Sequence, residues 1–265
     1  MHNLLRFDGK TIALTGAASG IGAATLDLLN TTGAETHAID LAPIAAGSHT
    51  SHRADLGDPV SVAELVEQLP ARVDALVNCA GLPNGGRFTP QQIVAVNWFG
   101  LRMLTEGVLP RMPEGSAVVH VASTAARNWR LRQLELAELV SIESFSETMA
   151  WVASHGAVVG DGYAFSKEAV CYYTLHRSAS ALEHGVRMNS VSPSVTNTPI
   201  AADFVAGVGA DAIDQAIASA GRIAQPEEMA PSLLFLADEL SSSFINGVNL
   251  TLDRGVKAAR IMGEF

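Results

Sequence analysis

Lysine is almost missing from this chain: three in 265 residues, at Lys10, Lys167 and Lys257. Cysteine is scarcer still, with Cys79 and Cys171, and aromatic residues make up only 6%. Two cysteines, both in apolar stretches, exclude a disulfide-stapled scaffold and point to a reducing, cytoplasmic setting. A formal charge of −10 speaks against a nucleic-acid partner. No apolar run reaches the length of a bilayer span, and the N-terminus has no signal-peptide pattern, so no membrane partner is expected. Internal repeats and low-complexity tracts are lacking too. His49 and His52 are the closest histidine pair, but they lie in a polar loop with no third ligand, so no metal site is expected. What remains is 48% hydrophobic and 17% charged. It alternates strand and helix without a linker, which predicts a single α/β domain over residues 1–265.

The alternation begins with a recognisable unit. Thr11-Ile-Ala-Leu-Thr15 reads as a short buried strand. Gly16-Ala-Ala-Ser19-Gly20-Ile21-Gly22 follows at once, and then Ile21, Ala24, Leu28 and Leu29 recur at helical spacing until Gly33. Strand, glycine turn and helix form a dinucleotide-binding context: glycines let the backbone approach a pyrophosphate, and the helix start offers free N–H groups. The next strand, Thr36 to Ile39, ends in Asp40 and Leu41. Asp40 lies 18 positions after Gly22, the distance for a carboxylate on the adenosine ribose. No Arg or Lys lies between Thr11 and Leu41 to receive a 2′-phosphate, so NAD is expected over NADP. Asp55-Leu56 closes a third strand and Asn78-Cys79-Ala80-Gly81 a fourth, both at the edge where a cofactor lies.

The second half carries proton-transfer groups. With three tyrosines and three lysines, a chance Tyr-x-x-x-Lys is about a 3 in 100 event. Here it is Tyr163-Ala-Phe-Ser-Lys167, whose ends share one helix face. An ammonium beside a phenol favours the phenolate, so the phenol's pKa is expected below its ordinary 10. The alternative is a surface helix pair. Ser123 ends a fifth strand, Ala117 to Ala122, where its hydroxyl could bond a substrate oxygen. Asn97 sits inside an apolar helix pattern and needs partners.

These pieces, together with Pro193 and Thr196 after a strand from Arg187 to Val191, resemble the short-chain dehydrogenase/reductase family along nearly the whole chain. The resemblance implies a Rossmann-type doubly wound parallel sheet. It implies catalysis by Asn97, Ser123, Tyr163 and Lys167, and cofactor contacts from Gly16, Ser19, Gly20, Ile21, Gly22, Asp40, Leu41, Asp55, Leu56, Asn78, Ala80, Gly81, Tyr163, Lys167, Pro193, Val195 and Thr196. Two positions depart from the family pattern: Cys79 replaces an Asn and Ser194 a Gly. Ser123 and Tyr163 are 40 positions apart, against about a dozen in most of the family. The extra residues, roughly Arg127 to Asp161, carry apolar stripes at Leu131 and Leu134 and at Ile142, Phe145, Met149 and Val152. This helical insertion is similar to the 3α-hydroxysteroid dehydrogenase/carbonyl reductase subgroup, which includes coniferyl-alcohol dehydrogenase-like enzymes.

The expected activity is NAD-dependent interconversion of a bulky apolar alcohol and its carbonyl. Leu82, Trp129, Met149, Trp151, Val195, Ile200 and Phe204 are the expected pocket walls. The insertion's second stripe is expected to bury in the substrate crevice or against another subunit of a homo-oligomer, dimer or tetramer. A non-catalytic NAD sensor and an interaction module are the competing readings.

Overall fold

Short aliphatic and β-branched runs become the strands of a central sheet, as parallel strands buried on both faces require. The computed structural model describes residues 5–45, 47 and 49–263. Its strands are β1 Thr11–Thr15, β2 Glu35–Asp40, β3 Thr50–Arg53, β4 Ala75–Asn78, β5 Ala117–Val121, β6 Arg187–Pro193 and β7 Asn249–Leu252. They form one seven-stranded sheet in the order β3-β2-β1-β4-β5-β6-β7. Every pairing is parallel. The chain winds outward from β1 to β3, returns to place β4 on the other side of β1, and continues to β7. That reversal opens a crevice at the carboxyl ends of β1 and β4. The third strand was expected to close at Asp55-Leu56 and the fourth at Asn78 to Gly81. The third stops at Arg53 and the fourth at Asn78, so Asp55, Leu56 and Cys79 to Gly81 lie in the loops beyond them.

The first four helices are α1 Gly20–Leu29, α2 Pro59–Gln68, α3 Pro90–Val94 and α4 Leu101–Val108. Next come α5 Gln133–Ser141, α6 Phe145–Ser154, α7 Gly156–Val159 and α8 Tyr163–Leu182. The last five are α9 Ala201–Val208, α10 Ala210–Ala220, α11 Pro226–Ala237, α12 Glu239–Ser242 and α13 Val256–Met262. Their starts are written locally. Asp58 accepts from the Val60 N–H ahead of Pro59, and Thr89 forms a reciprocal cap with Gln92 around Pro90. On one face of the sheet, α1 and α11 bury Leu26, Leu29, Leu233 and Leu234. On the other, α2, α4 and α8 bury Leu65, Leu104, Phe165 and Val170 around Trp98. Each large side chain so buried contributes about 1.5–3 kcal/mol.

Residues 127–161 hold α5, α6 and α7, and the stripe expected in the crevice or at a subunit contact packs on the domain's core instead. Leu136, Leu139, Val152 and Val159 are fully buried in the domain's own core. Phe145 meets Phe99 edge-on at 5.2 Å. The stripe itself is broken, because α5 ends before Ile142 and Ser144 caps a new helix by accepting from the Glu147 N–H. The inner face of the insertion is thus a second layer packed outside α3 and the turn that follows it. Leu131 and Leu134, in contrast, are 85% and 81% exposed.

Candidate active site

The glycine turn has its shape for steric reasons. Gly16 has a φ of +73°, and a Cβ there would lie 2.7 Å from the Ala80 nitrogen. A Cβ on Gly22 would lie 1.9 Å from the Gly16 carbonyl oxygen. The chain therefore folds back on itself and leaves the start of α1 open toward the crevice. Ser19 caps α1 in extended geometry without spending its hydroxyl on the helix. Thr15 Oγ1 accepts from the Cys79 and Ala80 N–H groups at 3.0 and 3.1 Å, stitching β1 to the loop after β4. Asp40 takes the Ala18 N–H on one carboxylate oxygen and the Ala42 N–H on the other, both at 2.9 Å. Its carboxylate is thereby fixed at the edge of the crevice. Its register partner on β3 is Arg53, which donates to the Leu41 carbonyl. The lysine- and arginine-free stretch of the first two strands did not disclose this neighbour, because it comes from β3.

The groups expected to transfer a proton line the same cleft as that turn. Gly162, at a φ of +88°, turns the chain into α8, and Asp161 accepts the Tyr163 N–H at 3.0 Å. Asp161 also accepts from Asn84 at 2.8 Å, tying the end of the insertion to the loop after β4. The Ser123 side chain lies beside the Tyr163 hydroxyl and favours its ionised form, and the Tyr163 ring meets Phe204 edge-on at 4.8 Å. One turn along α8, Lys167 donates to the Val121 carbonyl at 2.8 Å, with Nζ 6.0 Å from the tyrosine ring centre. Burial holds Lys167 down to about 8. The same burial, offset in part by Ser123, pushes Tyr163 up to about 12. This corrects the expectation of a lowered phenol. At this distance the lysine spends its N–H on a main-chain carbonyl, and the loss of water around the phenol dominates.

Asn97 lies in a wider turn, Ala95–Gly100, wound as a π-helix between α3 and α4. Its amide is fully spent: Oδ1 accepts from the Leu82 N–H at 2.7 Å, and Nδ2 donates to the Leu82 carbonyl at 3.0 Å and to Ser166 at 3.2 Å. It thus holds the loop after β4 in place. A Cβ on Gly81 would stand 3.2 Å from Asn97 Oδ1 and 3.3 Å from Lys167 Nζ. Gly81 is therefore the narrow point between them.

One cleft of about 1030 Å³ joins these parts. Ser123, Tyr163 and Lys167 line it, as do Gly16, Ser19, Gly20, Ile21, Gly22, Asp40, Leu41, Asp55, Leu56, Ala80, Gly81, Pro193, Val195 and Thr196. Asn97 stands behind the wall. Asn78 does too: its side chain is buried and bonded to Thr105 and His120 at 3.0 and 3.1 Å. Its expected cofactor contact is not one its side chain can make. Of the expected pocket walls, Leu82, Trp129, Val195, Ile200 and Phe204 line the cleft. Met149 and Trp151 do not; they pack on the core, with Trp151 stacked between His155 and Phe165.

Sequence reading also passed over Glu168. It is 1% exposed, although the residue before it points into the cleft. Its two oxygens accept from the Asn128 N–H at 3.1 Å and from Arg132 at 3.0 Å. Trp129 and Arg130, both cleft residues, are held between these two anchors. The only sequence signal was an acid placed beside the helix's lone lysine.

Both halves of the chain have known counterparts. A family model described as short chain dehydrogenase matches residues 10–133, and one described as Enoyl-(Acyl carrier protein) reductase matches residues 135–257. The coniferyl-alcohol dehydrogenase of a Pseudomonas species is 33% identical over 261 residues, covering 97% of this chain and 100% of the other. The chain belongs to the short-chain dehydrogenase/reductase family. Another member, the 3-alpha-hydroxysteroid dehydrogenase/carbonyl reductase of Comamonas testosteroni, is 30% identical over 96% of this chain and 99% of its own. Among solved structures, a Pseudomonas 3-alpha-hydroxysteroid dehydrogenase complexed with NADH superimposes with a TM-score of 0.80 at 28% identity, covering 97% of this chain and 100% of that one. As a short-chain dehydrogenase/reductase, the chain is an oxidoreductase.

Proposed function

We propose that this protein is an NAD-dependent oxidoreductase that interconverts a bulky apolar secondary or aryl alcohol and its carbonyl. The observation that carries the reading is that Ser123, Tyr163 and Lys167, the last two one helical turn apart on α8, line one cleft together with the glycine turn. The cleft fits a dinucleotide: the close contact between Gly16 and Gly22 leaves backbone room, and α1 starts at its floor. The glycine turn with Ser19 would hold the pyrophosphate, and Asp40 the adenosine ribose. Bound cofactor would supply hydride chemistry.

The chain's own residues manage the substrate oxygen. Tyr163, pushed up to about 12, holds its proton in the resting site and gives it to a carbonyl oxygen in the reductive direction. In the oxidative direction the phenol first gives its proton to solvent, the phenolate then takes the hydroxyl proton, and Ser123 bonds the same oxygen as charge develops. Lys167, held by the Val121 carbonyl with Nζ 6.0 Å from the ring centre, places a positive charge on the phenolate's side of the cleft. Asn97 fixes the loop that carries Leu82 against the substrate. Phe204 and Trp129 exclude water from one side. The named activities of the relatives, on coniferyl alcohol and on 3α-hydroxysteroids, support an apolar alcohol of that bulk.

The preference for NAD rests on Asp40, whose carboxylate repels a 2′-phosphate. We also place the protein in the cytoplasm as a homo-oligomer. Both cysteines are free, and burial pushes both thiols up to about 12. Leu240 and Phe244 are 93% and 103% exposed near the sheet edge at β7, where a second copy would cover them. The deciding experiment is a dehydrogenation screen with NAD⁺ and NADP⁺ over steroid, aryl and terpene alcohols. Turnover with NAD⁺ on a bulky alcohol is the expected result; no turnover of any alcohol despite NADH binding would turn the reading toward a sensor. Light scattering reads the oligomer.

A further inference from the structure

The substrate end of the cleft is basic. Besides Lys167, the cleft is lined by Arg127, Arg130, Lys257 and Arg260, in a chain of only 17 lysines and arginines and net charge −10. They come from two elements far apart in sequence. Arg127 and Arg130 lie on the loop just past Ser123. Lys257 and Arg260 lie three positions apart on α13, and so share a face.

None of these four pairs with a carboxylate among the described residues. Elsewhere Arg72, Arg132, Arg177 and Arg222 each have an acid within 3.0 Å. Arg127 is held below the usual arginine range, first by burial and then by the charge of Arg260, so these two cations crowd one space. Asp253 shares the wall, but its oxygens already accept the Gly255 and Lys257 N–H groups at 3.0 and 2.8 Å. Asp40 ends β2 and Asp55 follows β3, on the nucleotide side. Arg130 lies over the Trp129 ring at 4.7 Å, so an apolar surface adjoins the charge. Like charges gathered at one mouth of a cleft repel, and an anion bound between them relieves that cost.

We infer that the substrate carries, besides its alcohol or carbonyl, a carboxylate received by Arg127 and Arg260 while its apolar body lies along Trp129 and Phe204. A planar carboxylate matches the guanidinium fork. This refines the oxidoreductase reading above and rests on it.

Matched acid and methyl-ester pairs test it: 4-(hydroxymethyl)benzoate, 4-hydroxycyclohexanecarboxylate and a 3-hydroxysteroid with a side-chain carboxylate. For at least one pair, kcat/KM should favour the acid by about tenfold or more, the worth of one charge-assisted contact. The preference should shrink with added salt and fall to about threefold or less in R127Q/R260Q. The conservative R127K should keep part of it. A wild type that uses every ester as well as its acid overturns the inference and leaves the oxidoreductase reading standing.

Calorimetry keeps the two separable. The deoxy acids 4-methylbenzoate, cyclohexanecarboxylate and a cholanate should bind the NADH-loaded protein, and R127Q/R260Q should lose them while still binding NADH. If no alcohol is oxidised yet these acids bind through the arginines, the anion site stands and the oxidoreductase reading falls. If R127Q/R260Q weakens NADH as much as the acids, the cations serve the cofactor and the inference is wrong.

Discussion

The two walls of the cleft are built of different material. The nucleotide wall is main chain: eight consecutive residues, Thr15 to Gly22, with free N–H groups at the start of α1 and one carboxylate pinned by two more N–H groups. The substrate wall is side chain. Trp129, Phe204, Ile200, Arg127 and Arg260 reach it from the loop after β5, the segment after β6 and α13, and nothing local dictates where they meet. A wall of backbone takes one kind of ligand and tolerates change around it. A wall of side chains can be retuned one residue at a time. Between them stands Tyr163, which serves both.

That contrast can be broken most severely at its centre. Tyr163→Phe should lower turnover by two to four decades, the range for losing a general acid–base, and leave NADH affinity nearly unchanged in a fluorescence titration. A variant with more than a tenth of the parent's rate would remove Tyr163 from its role. Next in size is the insertion's grip on the core. Leu139→Ala should cost about 2–5 kcal/mol in urea unfolding, because Leu139 is fully buried. Replacing residues 127–161 by a Gly/Ser linker should therefore destabilise the whole domain, so point variants are the sharper tool.

Acid tests the layer beneath both walls. Burial, and then the charge of Lys167, hold His120 down to about 3. It stays neutral in the fold but takes a proton near pH 6.5 once unfolded, so the unfolded chain binds more protons. Stability should fall as pH drops below about 6.5, by on the order of 2–3 kcal/mol at pH 4.5. Urea midpoints across that range should show it, and His120→Gln should flatten the slope.

Glu168→Gln separates the walls. It removes the charge that holds Arg132, so the Trp129–Arg130 segment loosens. Alcohol kcat/KM should fall roughly tenfold to a hundredfold through KM, with NADH affinity intact; equal losses in both would make Glu168 merely structural. The smallest effect belongs to Asp40→Ala, which removes repulsion of a 2′-phosphate and leaves Arg53 beside it. The NAD preference in kcat/KM should shrink by about tenfold, and a parent that prefers NADP would refute the assignment.

The sheet was legible because buried parallel strands must be continuous apolar runs, and Ile12–Leu14, Leu76–Val77 and Val118–Val119 are such runs. The glycine turn was legible because only glycine fits at Gly16 and Gly22. Other features could not be read this way. Asn78 sits next to cleft residues, but strand alternation turns its side chain inward to Thr105 and His120. Met149 and Trp151 carry the same apolar signature as Trp129, and hydrophobicity does not say which surface a helix will cover. The Tyr163 pKa was misjudged because spacing shows a neighbouring lysine and not the depth of burial. Glu168, Arg127 and Arg260 were passed over because charges usually mark solvent, and their meaning appears only when three distant segments converge.

The turn from Ala95 to Gly100 carries one residue more than an α-helical turn would hold. Deleting one residue there would let α3 and α4 run on as a single regular helix. The same deletion would swing Asn97 by about 100° around the axis, off Leu82 and away from the gap beside Gly81. Counted in residues, the length of this stretch is a working dimension of the protein: a shorter, better-formed helix would be a poorer catalyst. An insertion or deletion that is harmless on the outer turns of α5 would here act as a substitution at every position of the turn at once.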